Sequence, residues 1–346
     1  MRVLHVLSSN VFSGAENVAC QIIKMFSSEA DVEMAYCSPF GPIQQVLLQN
    51  DITYYPIKKN ALELMKIVDI YKPDVIHAHD MKASFICAIL FRNYRIISHI
   101  HNNSFDSRKP SAKAILYATQ IKHFNHIFWV SKSALDNYYF KSKVMTKSSV
   151  LMNIIDIVEV QKKADIAEKK DRFDILYLGR LSYPKNPERL IDVFAGIIKK
   201  NHSIKIGIVG NGELEHIVHQ KIRDYRLESN IECLGFVNNP YGILKNASML
   251  MMTSRWEGTP MCALEAMALG TPIVSTPTDG LLEIVVPNVT GYLSDLNDEL
   301  VEHCLNIVGD VKLRESLSIH SIKRAEELMD ISRYRGILLE QYNNKI

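Results

Sequence analysis

The sequence lacks several features that would place it in a membrane, disulfide-rich or low-complexity class. Its longest apolar run, residues 83–91, falls far short of the roughly 20 residues that a membrane-spanning helix needs. The six cysteines are widely separated and form no Cys-x-x-Cys pair, so we expect reduced core thiols in a cytosolic protein. No short repeat or Asp-x-Asp motif is present, and Met1 leads directly into a predicted strand, so we expect no signal peptide.

The overall composition is that of a soluble globular protein, with 47% hydrophobic and 23% charged residues. A chain of 346 residues can form two domains with separate cores. The net charge is only +2, but residues 81–150 hold 11 Lys/Arg against 2 Asp/Glu. Residues 1–80 hold 6 against 9, and the remainder of the chain holds 23 against 27. A basic region of this strength indicates an anionic partner.

Short apolar strands alternate with helical patterns in both halves of the chain, which predicts parallel sheets covered on both faces. We therefore expect an α/β fold of two Rossmann-like, doubly wound domains, at 1–160 and 171–328, facing across a ligand-binding cleft. The charged stretch 156–170 is expected to be a linker. The predicted strands are 3–7, 32–37, 53–57, 75–78, 95–100 and 127–130, then 173–178, 204–209, 231–234, 249–253 and 272–275.

The most informative segment is 254–274, in which Glu257 and Glu265 stand eight positions apart around a turn that opens a helix. Thr259 is expected to cap this helix, and Pro260 suits its first turn. The free amides at the helix start can bind anions and hydroxyls, and two carboxylates beside them suit a nucleotide-sugar. Considered singly, Glu265 could be a solvated helix residue, and Glu257 could be a charge favoured by the helix dipole. Their position in a turn and helix that end at Gly270 before a strand favours a binding site.

The loop after the first strand of the second half carries two cations. Gly179 ends the strand, and Arg180 and Lys185 follow before a helix predicted from Glu188. An arginine fork and a lysine point charge together can neutralise a diphosphate. The alternative is a pair of solvated loop cations.

Two glycine turns also follow predicted strands. Gly210-Asn211-Gly212 lacks the full Gly-x-Gly-x-x-Gly fingerprint, so it indicates either a phosphate contact or a tight turn that needs glycine. Ser13-Gly14 opens the first predicted helix, where a backbone could approach a ligand closely.

Two strands of the first half end in alternating histidines, His77 and His79 before Asp80, and His99 and His101. Side chains two apart on a strand share a face, so a metal pair is imaginable. No third ligand is adjacent in sequence, and we expect packed histidines and no metal.

The segment 254–274 and the Arg180–Lys185 loop resemble the retaining family-four glycosyltransferases, which have the two-domain GT-B fold. The resemblance implies that Glu257 and the following amides hold the donor sugar, that Glu265 holds the ribose, and that Arg180 and Lys185 hold the diphosphate leaving group. It places His101 near the reacting carbon. The donor-binding residues expected on this basis are Gly14, Gly179, Gly210, Asn211, Gly258, Thr259, Pro260, Met261, Cys262 and Glu265.

The resemblance also implies a reaction without a cofactor or metal, because the Asp-x-Asp motif that holds the ion in the other main glycosyltransferase fold is missing. The departing phosphate would assist deprotonation of the acceptor. His79 and Asp80 match acceptor-side positions, and the helix within 329–346 is expected to cross back to the first domain.

The basic region suggests the acceptor. Arg108, Lys109 and Lys113, with Ile115 and Leu116, predict an amphipathic helix suited to an anionic membrane or a lipid diphosphate. The alternative is a sheet-covering helix with solvated charges. No nucleic-acid motif accompanies the charge.

These observations predict transfer of a sugar, with retention, from a UDP-sugar to a glycan or lipid-linked acceptor in cell-surface polysaccharide synthesis. The enzyme would be cytoplasmic and peripheral on the inner face of the plasma membrane. Two alternatives remain open: a nucleotide-sugar epimerase of the same fold, and a non-catalytic homologue that binds sugar nucleotides.

Overall fold

The computed structural model describes residues 1–58, 60–101, 105–167 and 172–343, and the chain divides into two compact units. The first unit comprises Met1–Ile154 with the C-terminal segment Ile331–Ile346, and the second comprises Ile155–Asp330. Each unit contains its own parallel sheet, as the sequence predicts. The division falls after Ile154, earlier than the expected residue 160.

The first unit has a seven-stranded sheet in the order β3-β2-β1-β4-β5-β6-β7, and all neighbouring strands are parallel. The short edge strand β7 was not predicted, because its sequence Ser-Ser-Val has no apolar run. The strands are β1 Arg2–Leu7, β2 Glu33–Pro39, β3 Tyr54–Ile57, β4 Val75–His79, β5 Arg95–Ile100, β6 His126–Trp129 and β7 Ser148–Val150.

Helices on both faces of this sheet bury an apolar core that includes Ile76, Cys87, Tyr117 and Trp129. The helices are α1 Gly14–Met25, α2 Ile43–Gln49, α3 Ala61–Tyr71, α4 Met81–Leu90, α5 Ala112–Gln120, α6 Lys132–Asp136 and α7 Lys141–Val144, with 3₁₀ turns at Phe105–Ser107, Ile121–His123 and Met145–Lys147.

The second unit has a six-stranded parallel sheet in the order β10-β9-β8-β11-β12-β13. Its core includes Phe194, Ile208, Met251 and Val274. The strands are β8 Ile175–Leu178, β9 Ile206–Val209, β10 Ile231–Gly235, β11 Met249–Met252, β12 Ile273–Ser275 and β13 Gly291–Leu293, of which β13 was not predicted.

The second unit also holds most of the remaining helices. These are α8 Ile157–Asp165, α9 Pro187–Lys200, α10 Glu215–Asp224, α11 Tyr241–Asn246, α12 Met261–Ala268, α13 Asp279–Ile284, α14 Asn297–Gly309 and α15 Val311–Leu328, with a 3₁₀ turn at Tyr183–Lys185. The C-terminal helix α16, Ile331–Asn343, belongs to the first unit.

The expected linker at 156–170 is wrong for most of its length, because it contains α8. Asp156 caps this helix by accepting a hydrogen bond from the Glu159 amide at 2.9 Å. Val160 and Ala164 are buried, and the helix packs against α11 and α12. The charges of the segment therefore lie on one side of an amphipathic helix. Residues 168–171 lie outside the described part of the chain.

Among the described residues, we find no helix whose length and apolar character would let it span a bilayer.

Candidate donor-binding site

The sheet of the second unit brings three predicted loops to one edge. β8 lies between β9 and β11, so the loops that follow these three parallel strands are neighbours. The chain winds to one side through β9 and β10 and to the other through β11, β12 and β13. The carboxyl end of β8 therefore lies at a topological switch point, where open α/β sheets bind ligands.

The loop after β8 is held in a fixed shape. The Lys185 amide bonds to the Ser182 carbonyl at 2.9 Å, and Asn186 adopts a left-handed conformation (φ +54°) just before α9. Arg255, from the loop after β11, lies over the Tyr183 ring at 4.2 Å and donates to the Tyr183 carbonyl at 2.7 Å. The turn that carries Lys185 is therefore held by contacts from two loops.

Lys185 and Glu257 form a direct ion pair. Lys185 Nζ donates to Glu257 Oε1 at 2.6 Å, and Ser254 Oγ donates to the same oxygen at 2.6 Å. Glu257 is only 7% exposed, which excludes a solvated charge. Burial lowers the pKa of Lys185, but the charge and hydrogen bond of Glu257 outweigh it, so the pKa lies above its usual value. The ammonium is therefore charged at neutral pH.

Arg180 is the exposed cation of the same loop. Its carbonyl accepts a hydrogen bond from the Tyr177 hydroxyl at 2.7 Å, which fixes the backbone. Its guanidinium makes no ion pair with any described residue. Two cations can therefore contact a bound anion. Lys185 is already paired with Glu257, and Arg180 remains available.

The glycine turn after β9 has a packing explanation. Gly210 has φ +128°, and a Cβ there would lie 2.0 Å from the Gly179 carbonyl oxygen. The Leu181 amide donates to the Asn211 carbonyl at 2.9 Å. The backbone of this turn therefore lies directly against the Gly179–Leu181 backbone, as only glycine permits. A role for Gly210 and Asn211 in donor binding stays a prediction.

Helix α12 begins one residue later than expected. Pro260 occupies the N-cap position with extended backbone (φ −71°, ψ 117°), so the predicted cap at Thr259 is wrong. The first helical hydrogen bond runs from Ala263 to the Pro260 carbonyl at 3.1 Å. The Met261 and Cys262 amides precede it and can donate to a ligand. Gly258 packs against α13, where a Cβ at Gly280 would lie 1.5 Å from its carbonyl oxygen.

The second carboxylate lies further along α12. Glu265 is 7% exposed and accepts a hydrogen bond from the Tyr241 hydroxyl at 3.1 Å. Burial raises its pKa to about 7, against smaller lowering effects of Tyr241 and Lys163. A solvated helix residue is thereby excluded. Burial also raises the pKa of Cys262 to about 12, so its thiol is not a nucleophile at neutral pH.

Gly14 and Asp80 lie after β1 and β4, at the switch point of the first sheet. A Cβ at Gly14 would meet nothing within 4 Å, so the start of α1 is open. Asp80 has φ +129°, caps α4 through the Ala83 amide at 2.7 Å, and accepts from the Ser8 hydroxyl at 2.6 Å. These contacts give Asp80 a structural role, and its expected acceptor-side role remains a prediction.

The two histidines expected near the substrates are in contact. His79, at the end of β4, has Nδ1 2.9 Å from His101 Nε2, after β5. Lys113 lies in the first turn of α5, whereas Arg108 and Lys109 lie in the turn before the helix, so the predicted amphipathic helix does not include them. Lys109 Nζ is 3.9 Å from Asp106 Oδ1. Lys113 is exposed.

Sequence reasoning missed three residues that support the site. Ser254, which donates to Glu257, and Arg255, which contacts Tyr183, are part of the segment that it selected, but neither received a role. Tyr241 lies in a different segment, and no sequence signal links its hydroxyl to Glu265.

Comparisons with known proteins define the class. Residues 159–324 match the glycosyl transferases group 1 family, and residues 20–170 match the starch synthase catalytic domain. With two doubly wound parallel-sheet units, the chain has the GT-B fold, and these matches confirm its resemblance to the family-four glycosyltransferases.

Several individual proteins are similar over most of their length. The chain is 25% identical to an Escherichia coli UDP-Gal:alpha-D-GlcNAc-diphosphoundecaprenol alpha-1,3-galactosyltransferase, covering 96% of each protein. It is 24% identical to the Staphylococcus aureus capsular polysaccharide biosynthesis glycosyltransferase CapM, over 81% of this chain and 79% of that protein. The crystal structure of Anabaena HepE in complex with UDP-glucose superposes with a TM-score of 0.86 at 20% identity over 100% of both chains.

Proposed function

We propose that this glycosyltransferase transfers a sugar from a UDP-sugar, with retention of configuration, to a lipid-linked or glycan acceptor in cell-surface polysaccharide synthesis. The observation that carries the proposal is the Lys185–Glu257 pair at the carboxyl edge of the second sheet. It places a cation for a diphosphate and a carboxylate for sugar hydroxyls within one hydrogen bond of each other.

The chemistry follows from these groups. Lys185 and Arg180 would hold the diphosphate and stabilise the charge that develops on it as the glycosidic bond breaks. Glu257 and the Met261 and Cys262 amides would orient the sugar, and Glu265 would accept hydrogen bonds from the ribose. Catalysis would then depend on positioning and leaving-group stabilisation by protein cations, without a metal ion.

The acceptor is proposed from two independent observations. The Escherichia coli relative is named for a diphosphoundecaprenol acceptor, and it covers nearly the whole chain. In the first unit, Ile115 and Leu116 are 44% and 48% exposed on α5, close in sequence to the basic residues Arg108, Lys109 and Lys113. Exposed apolar side chains beside basic ones suit an anionic membrane, and we propose a peripheral site at its cytoplasmic face.

Calorimetry with UDP, GDP, ADP and UDP-sugars tests the donor. We expect UDP and at least one UDP-sugar to bind, and transfer to a polyprenyl-diphosphate-linked sugar to give a product whose anomeric proton coupling matches the donor. Arg180→Ala and Lys185→Ala should each lower turnover by roughly 10²-fold. Inversion, a preference for another base, or loss of activity in EDTA with recovery in Mg²⁺ would each contradict the corresponding part of the proposal.

The same experiment separates the alternatives. An epimerase would convert the UDP-sugar without an acceptor, and NMR of the sugar pool would detect the new isomer. A non-catalytic homologue would bind donor and leave both donor and acceptor unchanged.

A further inference from the structure

A cavity of about 550 Å³ lies at the amino ends of the strands of the second sheet. Its lining includes Arg172 before β8, Ser248 directly before β11 and Pro272 directly before β12, which are neighbouring strands. The candidate donor residues follow β8 and β11, so the cavity lies at the opposite edge of the same sheet. Its volume is that of a small-molecule pocket, and the donor mechanism above makes no use of it.

Three cationic side chains line this cavity, namely Arg172, Lys245 and Arg314. Arg314 Nη1 donates to the Ile307 and Val308 carbonyls at 3.1 and 3.3 Å, which holds the guanidinium in place. Its other N–H groups, and all those of Arg172, make no hydrogen bond or ion pair with any described residue. Two guanidinium groups are therefore available, and their geometry matches the oxygens of a phosphate.

The groups that would oppose an anion are fewer. Glu315 is the one carboxylate among the described lining residues, and Lys245 is paired with Asp165 at 2.6 Å. Helices α11 and α12 end at the cavity, where terminal carbonyls disfavour an anion. Lys245, in the last turn of α11, offsets this effect. Even with Lys245 counted as neutralised, the two arginines outnumber Glu315.

Ser248 distinguishes this cavity from an open patch of solvated charges. It is only 3% exposed, and its hydroxyl makes no hydrogen bond with any described residue. Native proteins rarely leave a buried hydroxyl without a partner, because its desolvation is costly. The hydroxyl of Ser318, on α15, lines the same cavity and also has no partner within the described part of the chain. Water would satisfy both hydroxyls but would leave the two arginine charges without a counter-charge.

We propose that this cavity is a second anion site, which binds a phosphate group through Arg172, Arg314 and Ser248. The phosphate oxygens accept hydrogen bonds from the two guanidinium groups and from the hydroxyl. Leu269 and Pro272 are buried in the same lining, and they give the ester of a small sugar apolar contacts that free phosphate lacks. The site is separate from the donor residues, so the inference goes beyond the proposed function and does not rest on it.

Calorimetry of the whole protein tests the site with two probes, inorganic phosphate and glucose 6-phosphate. Each probe is titrated in saturating UDP, which occupies the donor site. We expect glucose 6-phosphate to bind and to raise the Tm. Equal affinity for the two probes would identify free phosphate as the ligand, and tighter binding of the ester would identify a sugar phosphate. Absence of both binding heat and a Tm shift with either probe at millimolar concentration would overturn the proposal.

Variants with a matched control assign the binding to the cavity. Arg172→Glu reverses an exposed charge, and Ser248→Ala removes a hydroxyl that has no partner, so we expect both proteins to fold. Each should weaken phosphate binding by roughly tenfold or more, because a hydrogen bond to a charged group is lost. Arg226→Glu is the control, since Arg226 is an exposed arginine of the second unit outside the cavity lining. An equal loss in Arg226→Glu would reduce the effect to net charge and overturn the proposal.

Lys185→Ala separates the cavity from the donor site. It should weaken UDP binding and leave phosphate binding unchanged, whereas Arg172→Glu should show the reverse pattern. Phosphate binding that UDP displaces, or that Lys185→Ala abolishes and Arg172→Glu spares, would assign the probe to the donor cations and overturn the inference. Absence of UDP binding to the unmodified protein would refute the proposed function alone, because the cavity variants test the phosphate site without UDP.

Discussion

Lys185 Nζ lies 2.6 Å from Glu257 Oε1, although the two residues are 72 positions apart in the sequence. A cation expected to hold a diphosphate is thus already neutralised by a carboxylate of the protein. A diphosphate that reaches Lys185 must share it with Glu257. The pair thereby couples the leaving-group position to the sugar position, and Glu257 has two separable effects.

Glu257→Gln should separate these effects. Without the carboxylate charge, Lys185 is free for a diphosphate, so we expect UDP to bind at least as tightly as to the unmodified protein. The UDP-sugar should not bind more tightly, because the carboxylate that orients its sugar is missing. For the same reason transfer should fall by roughly 10²-fold or more. Calorimetry with both ligands and a turnover assay check this. Weaker UDP binding would assign Glu257 to the diphosphate site itself.

Donor affinity should depend on pH through Glu265. Its pKa is about 7 in the ligand-free protein. Ribose hydroxyls donate to the ionised carboxylate, so binding favours ionisation and releases a proton near neutrality. Affinity for UDP-glucose should fall as the pH drops from 8 to 6, by at most about tenfold per unit. Calorimetry in two buffers of different ionisation enthalpy measures the proton release. The Glu265→Gln protein should show neither effect.

Glu265 should also make the ligand-free protein less stable as the pH rises, whereas a salt-bridged carboxylate makes a protein more stable. Because folding raises the pKa of Glu265 from 4.5 to about 7, the fold carries no penalty below pH 4.5 and the full penalty above pH 7. The penalty is on the order of 3 kcal/mol at most. Glu265→Gln should therefore raise the Tm of the ligand-free protein at pH 8 and leave it unchanged near pH 4.5. A constant difference across this range would contradict the raised pKa.

The grouping of the candidate site residues could be predicted from the sequence, because it follows from the order of the strands. Loops that follow neighbouring parallel strands converge, so Arg180, Lys185 and Glu257 could be grouped before any coordinates. The contact between Lys185 and Glu257 could not be predicted, because it depends on side-chain rotamers and on the support of Arg255. The Tyr241–Glu265 hydrogen bond likewise joins separate segments.

Other misses had usable signals. The Asp156-x-x-Glu159 pattern is typical of a capped helix start and could have identified α8. The charges of this segment concealed it, because a surface helix is charged on its outer face. The histidines at 77, 79, 99 and 101 were predicted to share faces within each strand. The contact between His79 and His5 depends on how β1, β4 and β5 are aligned side by side, which no local sequence pattern encodes.

Gly210→Ala should destabilise the protein and disturb the Arg180 loop. A Cβ at φ +128° is strained, and it would overlap the Gly179 carbonyl oxygen at 2.0 Å. We expect a clear drop in Tm together with weaker UDP binding. Gly336→Ala is the matched control, because a Cβ in α16 meets nothing within 4 Å and alanine favours a helix by about 1 kcal/mol. A Tm for Gly210→Ala equal to that of the control would refute the close backbone packing.

The last prediction concerns the basic residues in and just before the first turn of α5. If Ile115, Leu116 and the neighbouring cations dock on a membrane, the protein should cosediment with vesicles containing anionic lipid and not with neutral ones. Each basic residue near such a surface contributes on the order of 1 kcal/mol, and salt screens it over about 8 Å at physiological ionic strength. Charge reversal at Arg108, Lys109 and Lys113 together should release the protein and slow transfer to a lipid-linked acceptor.

Transfer to a short soluble acceptor should be spared by this triple reversal, because the candidate donor residues Lys185 and Glu257 belong to the second unit. Reversal of Lys199, Lys312 and Lys323 is the matched control, since these exposed lysines of the second unit change the net charge equally. If both triple variants were released from the vesicles equally, the binding would depend on net charge alone and not on the residues near α5. Equally weak binding to both kinds of vesicle would leave Arg108, Lys109 and Lys113 as a solvated face and would favour a soluble glycan as the acceptor.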